Sequence, residues 1–167
     1  FIQTRIEAEI AFCMKGSLAG EVTREEVLQA TDYVFPSLEI LDTRIFRKDE
    51  NTGKMRTVFD TISDNAANAG VISGVQKNDP QKFDLRRVGS IVMRNNEVEE
   101  TGLGAGVLND PITGIIWLVK RLSEYNQKIS PGEIILSGSF IRPIEARKGD
   151  EFYADFGDFG FVECKFN

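Results

Sequence analysis

The sequence predicts an α+β fold, a β-rich mixed-sheet roll carrying two or three helices. Three observations lead to this reading. Residues 4–12 alternate strictly, with Ile6, Ala8, Ile10 and Phe12 on one side and Glu7, Glu9 and Ala11 on the other, the period of a strand. One strong amphipathic helix spans 111–125, with Ile112, Ile115, Ile116, Val119 and Leu122 on one stripe. Short apolar runs over 133–137, 151–156 and 161–166 are punctuated by glycines at 132, 138, 149, 157 and 160, which reads as successive strands and turns.

The remaining elements follow from local signals. Thr23 with Glu26 three residues on is a capping-box pattern opening a first helix. Residues 33–46 return to strand character, and 47–56 are polar, carry Asn51-Thr52-Gly53 and read as a loop. Within 57–74 the pattern is ambiguous, and 64–69 suit a short helix ending at Gly70. Runs 85–93 and 97–101 flank Arg94-Asn95-Asn96, a hairpin signal. Asp110 then caps the long helix, with Pro111 at its first position. No repeat, low-complexity tract or linker interrupts the 167 residues, which read as a single domain, 1–167.

Composition narrows the chemistry. The net charge of −6 from 20 basic and 26 acidic residues argues against duplex binding, which needs a basic face. There is no histidine, so imidazole-based triads and imidazole metal sites are excluded. Catalysis must run on carboxylates, lysine, hydroxyls, cysteine or a hard metal ion. Cys13 and Cys164 are far apart and lie in alternating apolar stretches. They read as two buried free thiols of a reducing, cytoplasmic compartment. No apolar run is long enough for a membrane helix, and no signal peptide is visible.

Glu7 and Glu9, spaced i, i+2 on a strand, place two carboxylates about 7 Å apart on one face. Such a pair suits a hard cation completed by a third oxygen ligand, or an ordinary solvated strand face. Glu39 lies in the apolar run Ser37-Leu38-Glu39-Ile40-Leu41, where a carboxylate needs a partner. A metal and an Arg44 salt bridge both qualify. Gly138, between Ser137 and Ser139, allows close backbone approach to a ligand, or simply ends a strand. A lone Arg142 suits the surface better than a carboxylate clamp. Asp64-Asn65 and 155–158 read as caps and turns, Gly102–Gly106 lacks the lysine and spacing of a phosphate loop, and Trp117 reads as a packing residue.

Taken together these blocks carry a resemblance. Arg5-Ile6-Glu7-Ala8-Glu9-Ile10-Ala11-Phe12 resembles the E-x-E strand of the hydratase/decarboxylase branch of the fumarylacetoacetase superfamily. Residues 30–44, 58–70, Glu99-Glu100-Thr101-Gly102, Gly106-Val107-Leu108-Asn109, Gly138-Ser139-Phe140-Ile141-Arg142-Pro143 and 146–150 are similar to further blocks of that branch. The resemblance implies a fold of the fumarylacetoacetase C-terminal-domain type and Mg²⁺ or Mn²⁺ held by Glu7, Glu9 and Glu39. It implies substrate contacts at Ile10, Asn65, Ser139 and Arg142, the last toward a distal carboxylate. The implied reaction is metal-dependent addition of water to a 2-hydroxy-diene or 2-oxo-ene dicarboxylate in aromatic meta-cleavage catabolism. Decarboxylation of a related dicarboxylate, or a non-catalytic metal-binding fragment, is the alternative.

The same resemblance implies a homo-oligomer with a small-molecule 2-oxo acid as partner, and neither nucleic acid nor membrane. Members of the branch extend about a hundred residues further upstream, the size of a small domain. That stretch holds the lysine expected to supply acid–base chemistry, so no catalytic residue is assigned within 1–167. The start at Phe1, without an initiator Met, agrees with a chain lacking that segment. Asp110 stands where members often have His before Pro, a change that leaves a helix cap intact.

Overall fold

Strand β1 (Arg5–Met14) is the centre of the molecule, since it hydrogen-bonds to three other strands at once. The computed structural model describes all 167 residues. From β1 the chain enters α1 (Arg24–Ala30), whose Thr23 and Glu26 form the expected reciprocal capping box, then returns as β2 (Thr31–Leu41) antiparallel to β1. Helix α2 (Val58–Ser63) opens with another capping box, Thr57 with Asp60, and buries none of its side chains. Strand β3 (Asn68–Ser73) then pairs with β2.

A hairpin follows, β4 (Gly89–Arg94) and β5 (Glu97–Leu103). Its two-residue turn is Asn95-Asn96, with φ of 53° and 68°, the positive dihedrals that asparagine tolerates best after glycine. Helix α3 (Pro111–Ser123) is capped by Asp110, which accepts from Ile112 N at 3.0 Å and also meets Arg24 Nε at 2.9 Å. One aspartate therefore caps α3 and ties it to α1. Strands β6 (Ile134–Leu136), β7 (Ile144–Glu145), β8 (Glu151–Asp155) and β9 (Phe161–Lys165) complete the chain.

These strands form two sheets. The first runs β3-β2-β1-β6 with β7 also on β1, and the second runs β5-β4-β8-β9. The α+β roll matches the expected class. Its sheets, however, are antiparallel at every pairing rather than mixed. A 26-residue apolar cluster fills the space between the sheets and α3. It includes Ile6, Ala8, Ile10 and Phe12 of β1, Val92 of β4, Ile115 of α3 and Phe152 of β8.

Several local readings differ from the structure. Within 64–69 only Asn65–Ala67 turn, as one 3₁₀ turn, and Asn68 onward is strand. Pairing to β2 overrides the weak helical propensity of the Asn-Ala run. The loop over 47–56 is a small arch in which Lys48 bridges Met55 and Arg56 N donates to Arg47 O at 2.9 Å. Trp117 is 62% exposed rather than packed, since it lies off the stripe marked by Ile112, Ile115 and Val119. Cys13 and Cys164 are unpaired and half-buried, and burial pushes the Cys164 thiol up to about 11. No helix is long and apolar enough to cross a membrane.

Candidate metal centre

Alternation along β1 sends Ile6, Ala8 and Ile10 into the core and Glu7 and Glu9 to the opposite face. That opposite face is not simply solvated. Glu9 is only 2% exposed, and Glu7 and Glu39 are half-buried. The register of the β1–β2 pair sets Glu7 directly across from Glu39 and Glu9 across from Ser37. Ser37 is small, and its hydroxyl donates to Glu9 O at 3.1 Å. As a result, one carboxylate oxygen from each of Glu7, Glu9 and Glu39 lies within 4.8 Å of the others.

Two neighbours hold this cluster in place. Gly138 N donates to Glu9 Oε2 at 2.7 Å, and Asn68 Nδ2 donates to Glu39 Oε1 at 2.6 Å. Gly138 has φ of 113°, and a Cβ there would stand 3.0 Å from Val107 Cγ1. Both facts require glycine. A Gly138→Ala variant is expected to lose about 1–3 kcal/mol of stability, measured by urea unfolding.

The electrostatics follow from the geometry. Burial pushes the Glu9 carboxyl up to about 8; the Gly138 N–H opposes this, and Glu39 and Glu7 add to it. Burial, then Glu39, pushes Glu7 up to about 7 against the pull of Arg5. Three carboxylates this close must share protons or a cation. A divalent ion relieves the repulsion and meets an all-oxygen donor set suited to hard cations. The residues present therefore fit such an ion.

The other expected site residues fall in different places. Arg44 does not pair with Glu39. Its Nε meets Asp64 Oδ1 at 2.6 Å and its backbone N meets Asp64 Oδ2 at 2.9 Å. Despite burial, those Arg44 contacts hold the Asp64 carboxyl below its ordinary value. Ile10 is fully buried in the core cluster, on the strand face away from the carboxylates, so its side chain cannot touch a ligand there. Asn65 is exposed in the 3₁₀ turn three residues before Asn68.

The Ser139 hydroxyl closes its own turn, donating to Ile141 O at 2.8 Å. Arg142 has an 86% exposed side chain paired with Glu100, which makes it a surface ion pair rather than a free clamp. Asn68 is the residue that sequence reasoning missed. It was hidden in a segment read as helix, and only the β2–β3 register brings it beside Glu39.

The chain is similar to known proteins in both sequence and structure. The chain is 49% identical to 2-oxo-hept-4-ene-1,7-dioate hydratase of Escherichia coli over 99% of its own length and 62% of that protein's. It is 39% identical to 2-hydroxyhexa-2,4-dienoate hydratase of Comamonas testosteroni, covering 90% of this chain and 55% of the relative. Its structure superposes on 4-oxalocrotonate decarboxylase from Pseudomonas putida G7, complexed with magnesium and adipate, with a TM-score of 0.90 at 30% identity, over 100% of this chain and 62% of the other. The chain is thus similar in sequence to these hydratases and in structure to this decarboxylase. Its fold is that of a fumarylacetoacetase-type C-terminal domain. It spans about three-fifths of the length of these relatives. No family model matches it.

Proposed function

We propose that residues 1–167 form the metal-binding domain of a divalent-metal hydratase that adds water to a 2-oxo-ene dicarboxylate, 2-oxo-hept-4-ene-1,7-dioate or a close analogue. The observation that carries this reading is the gathering of Glu7, Glu9 and Glu39 within 4.8 Å, one of them almost fully buried. Glu7, Glu9 and Glu39 would hold Mg²⁺ or Mn²⁺. When bound, the ion supplies Lewis-acid stabilisation of the negative charge that develops on the oxo-acid end of the substrate.

This chain's own residues position the ligands. The Gly138 N–H fixes the orientation of the Glu9 carboxylate, and the Asn68 amide fixes that of Glu39. The apolar core behind β1 keeps the strand rigid, so the carboxylates remain gathered without the ion. The greater likeness to a hydratase (49%) than to the decarboxylase (30%) favours hydration over loss of CO₂. In keeping with the resemblance, we assign the acid–base lysine to a segment outside residues 1–167. We also read the protein as a cytoplasmic homo-oligomer acting on a small molecule.

The dioate, supplied as its conjugated 2-hydroxy-2,4-diene tautomer with Mg²⁺ to protein purified from its source, should lose its dienol absorbance without releasing CO₂. Stoichiometric CO₂ release would assign the decarboxylase reaction instead, and no turnover would leave a metal-binding fragment. Asn68→Ala is expected to weaken Mn²⁺ binding about 10–100-fold, the usual effect of losing a group that orients a ligand. Calorimetric titration checks this, and an unchanged affinity would remove Asn68 from the site.

A further inference from the structure

We propose that Arg5, Arg47 and Arg56 form a carboxylate-binding site beside the three-glutamate cluster, placed to take the remote acid group of a dicarboxylic ligand. The assignment of that group to a substrate rests on the hydratase reading; the anion site itself does not.

Arg5 shares the strand face of Glu7 and Glu9, about 7 Å from Glu7 along β1. The arch after β2 brings Arg47 and Arg56 to opposing positions, joined by the Arg56 N to Arg47 O hydrogen bond at 2.9 Å. None of the three forms an ion pair. Arg47 Nε and a terminal guanidinium nitrogen of Arg56 are buried without a hydrogen-bond partner. Arg47 makes one side-chain contact, to Gln3 O at 2.9 Å.

Two of the nearby acids are already occupied, while Glu50 on the rim of the same cleft is exposed and pairs with none of the three arginines. Asp42 accepts from Ile2 N, Gln3 N and the Thr4 hydroxyl, and Glu145 meets Arg147 at 3.4 Å. Burial, then the charges of Arg5 and Arg56, lower the pKa of Arg47 against the opposing pull of Glu145 and Asp42. Buried guanidinium donors left unpaired are costly, and a carboxylate accepts the planar fork of an arginine in two parallel bonds. Arg47 also lines a cleft of ≈ 610 Å³ with Lys48, Glu50, Glu145, Arg147 and Lys148, which gives an anion an approach from the Arg47 side, with Arg5 and Arg56 behind it. Arg142, the sequence-based candidate for this role, is exposed and paired with Glu100.

Two measurements test the site. In metal-free, ¹⁵N-labelled protein, hexanoate should shift the Arg47 and Arg56 Nε–Hε signals saturably, while hexanol should not. The absence of a saturable shift overturns the anion site whatever the metal does. With Mn²⁺ present, 2-oxoheptanedioate should bind about tenfold or more tightly than 2-oxoheptanoate, the range of one charge-assisted hydrogen bond. That preference should fall to near unity in Arg47→Met and in Arg56→Met and partly return in Arg47→Lys, with Mn²⁺–oxalate binding unchanged in all. A preference that is absent, or that survives both Met variants, overturns the remote-carboxylate role. Loss of oxalate binding in the wild type, with the hexanoate shifts intact, refutes the metal-chelate reading and leaves the anion site standing.

Discussion

Replacing Glu9 by Gln should abolish divalent-metal binding, reducing Mn²⁺ affinity by more than the roughly hundredfold limit typical of orienting neighbours. Glu9 contributes a carboxylate that is 2% exposed, aligned by Gly138 N, and central to a cluster whose oxygens lie within 4.8 Å. Glutamine keeps the shape and can still accept the Gly138 hydrogen bond, so the fold should survive while the charge is lost. Glu7→Gln should act in the same direction but less strongly, since Glu7 is less buried and its charge is partly offset by Arg5. Electron paramagnetic resonance of free Mn²⁺ measures both affinities. Wild-type affinity in Glu9→Gln would exclude Glu9 as a ligand.

The metal-free protein should lose stability as pH rises from about 4.5 to 8. Glu7 and Glu9 titrate near 4.5 when unfolded but near about 7 and about 8 when folded. Within that window the folded state holds more protons than the unfolded state, so unfolding free energy falls with rising pH. Below about 4.5 both states are protonated and this effect vanishes. Above about 8 both are ionised, and the penalty is complete. Glu9→Gln should remove most of the slope and be the more stable protein at pH 8.5, and saturating Mn²⁺ should flatten the wild-type profile. Urea unfolding at pH 5, 6.5 and 8.5 checks this, and a wild-type stability rising across the window would contradict it.

The parts of the fold readable in advance are those set by local chemistry. The alternation of Ile6 to Phe12 marks β1, the Thr23–Glu26 box opens α1, Asn95-Asn96 turns the β4–β5 hairpin, and Asp110-Pro111 starts α3. Helix α2 was ambiguous because its capping box uses Asp60 in place of the more usual glutamate and none of its side chains is buried. Strand β3 falls in the same ambiguous stretch, because only its partner β2 makes it a strand.

The same division runs through the site. The spacing of Glu7 and Glu9 is local and therefore visible. Their convergence with Glu39 depends on the β1–β2 register, which places residues 32 positions apart face to face. The choice of Asp64 by Arg44, of Glu100 by Arg142 and of Glu39 by Asn68 is likewise set by register and loop path. Composition or spacing does not encode those choices. The resemblance indicated the three glutamates together, whereas the residues alone left the cation and the solvated face both open.

The measurement that tests the central claim most directly is Mn²⁺ titration with and without oxalate, a two-carboxylate mimic of an enolised oxo acid. If Glu7, Glu9 and Glu39 leave coordination positions open on a bound ion, Mn²⁺ should bind at micromolar concentrations and oxalate should tighten it. The Glu7→Gln/Glu9→Gln double variant should abolish both effects. Binding that oxalate does not alter, or that persists in the double variant, would contradict a metal-chelate site at these carboxylates.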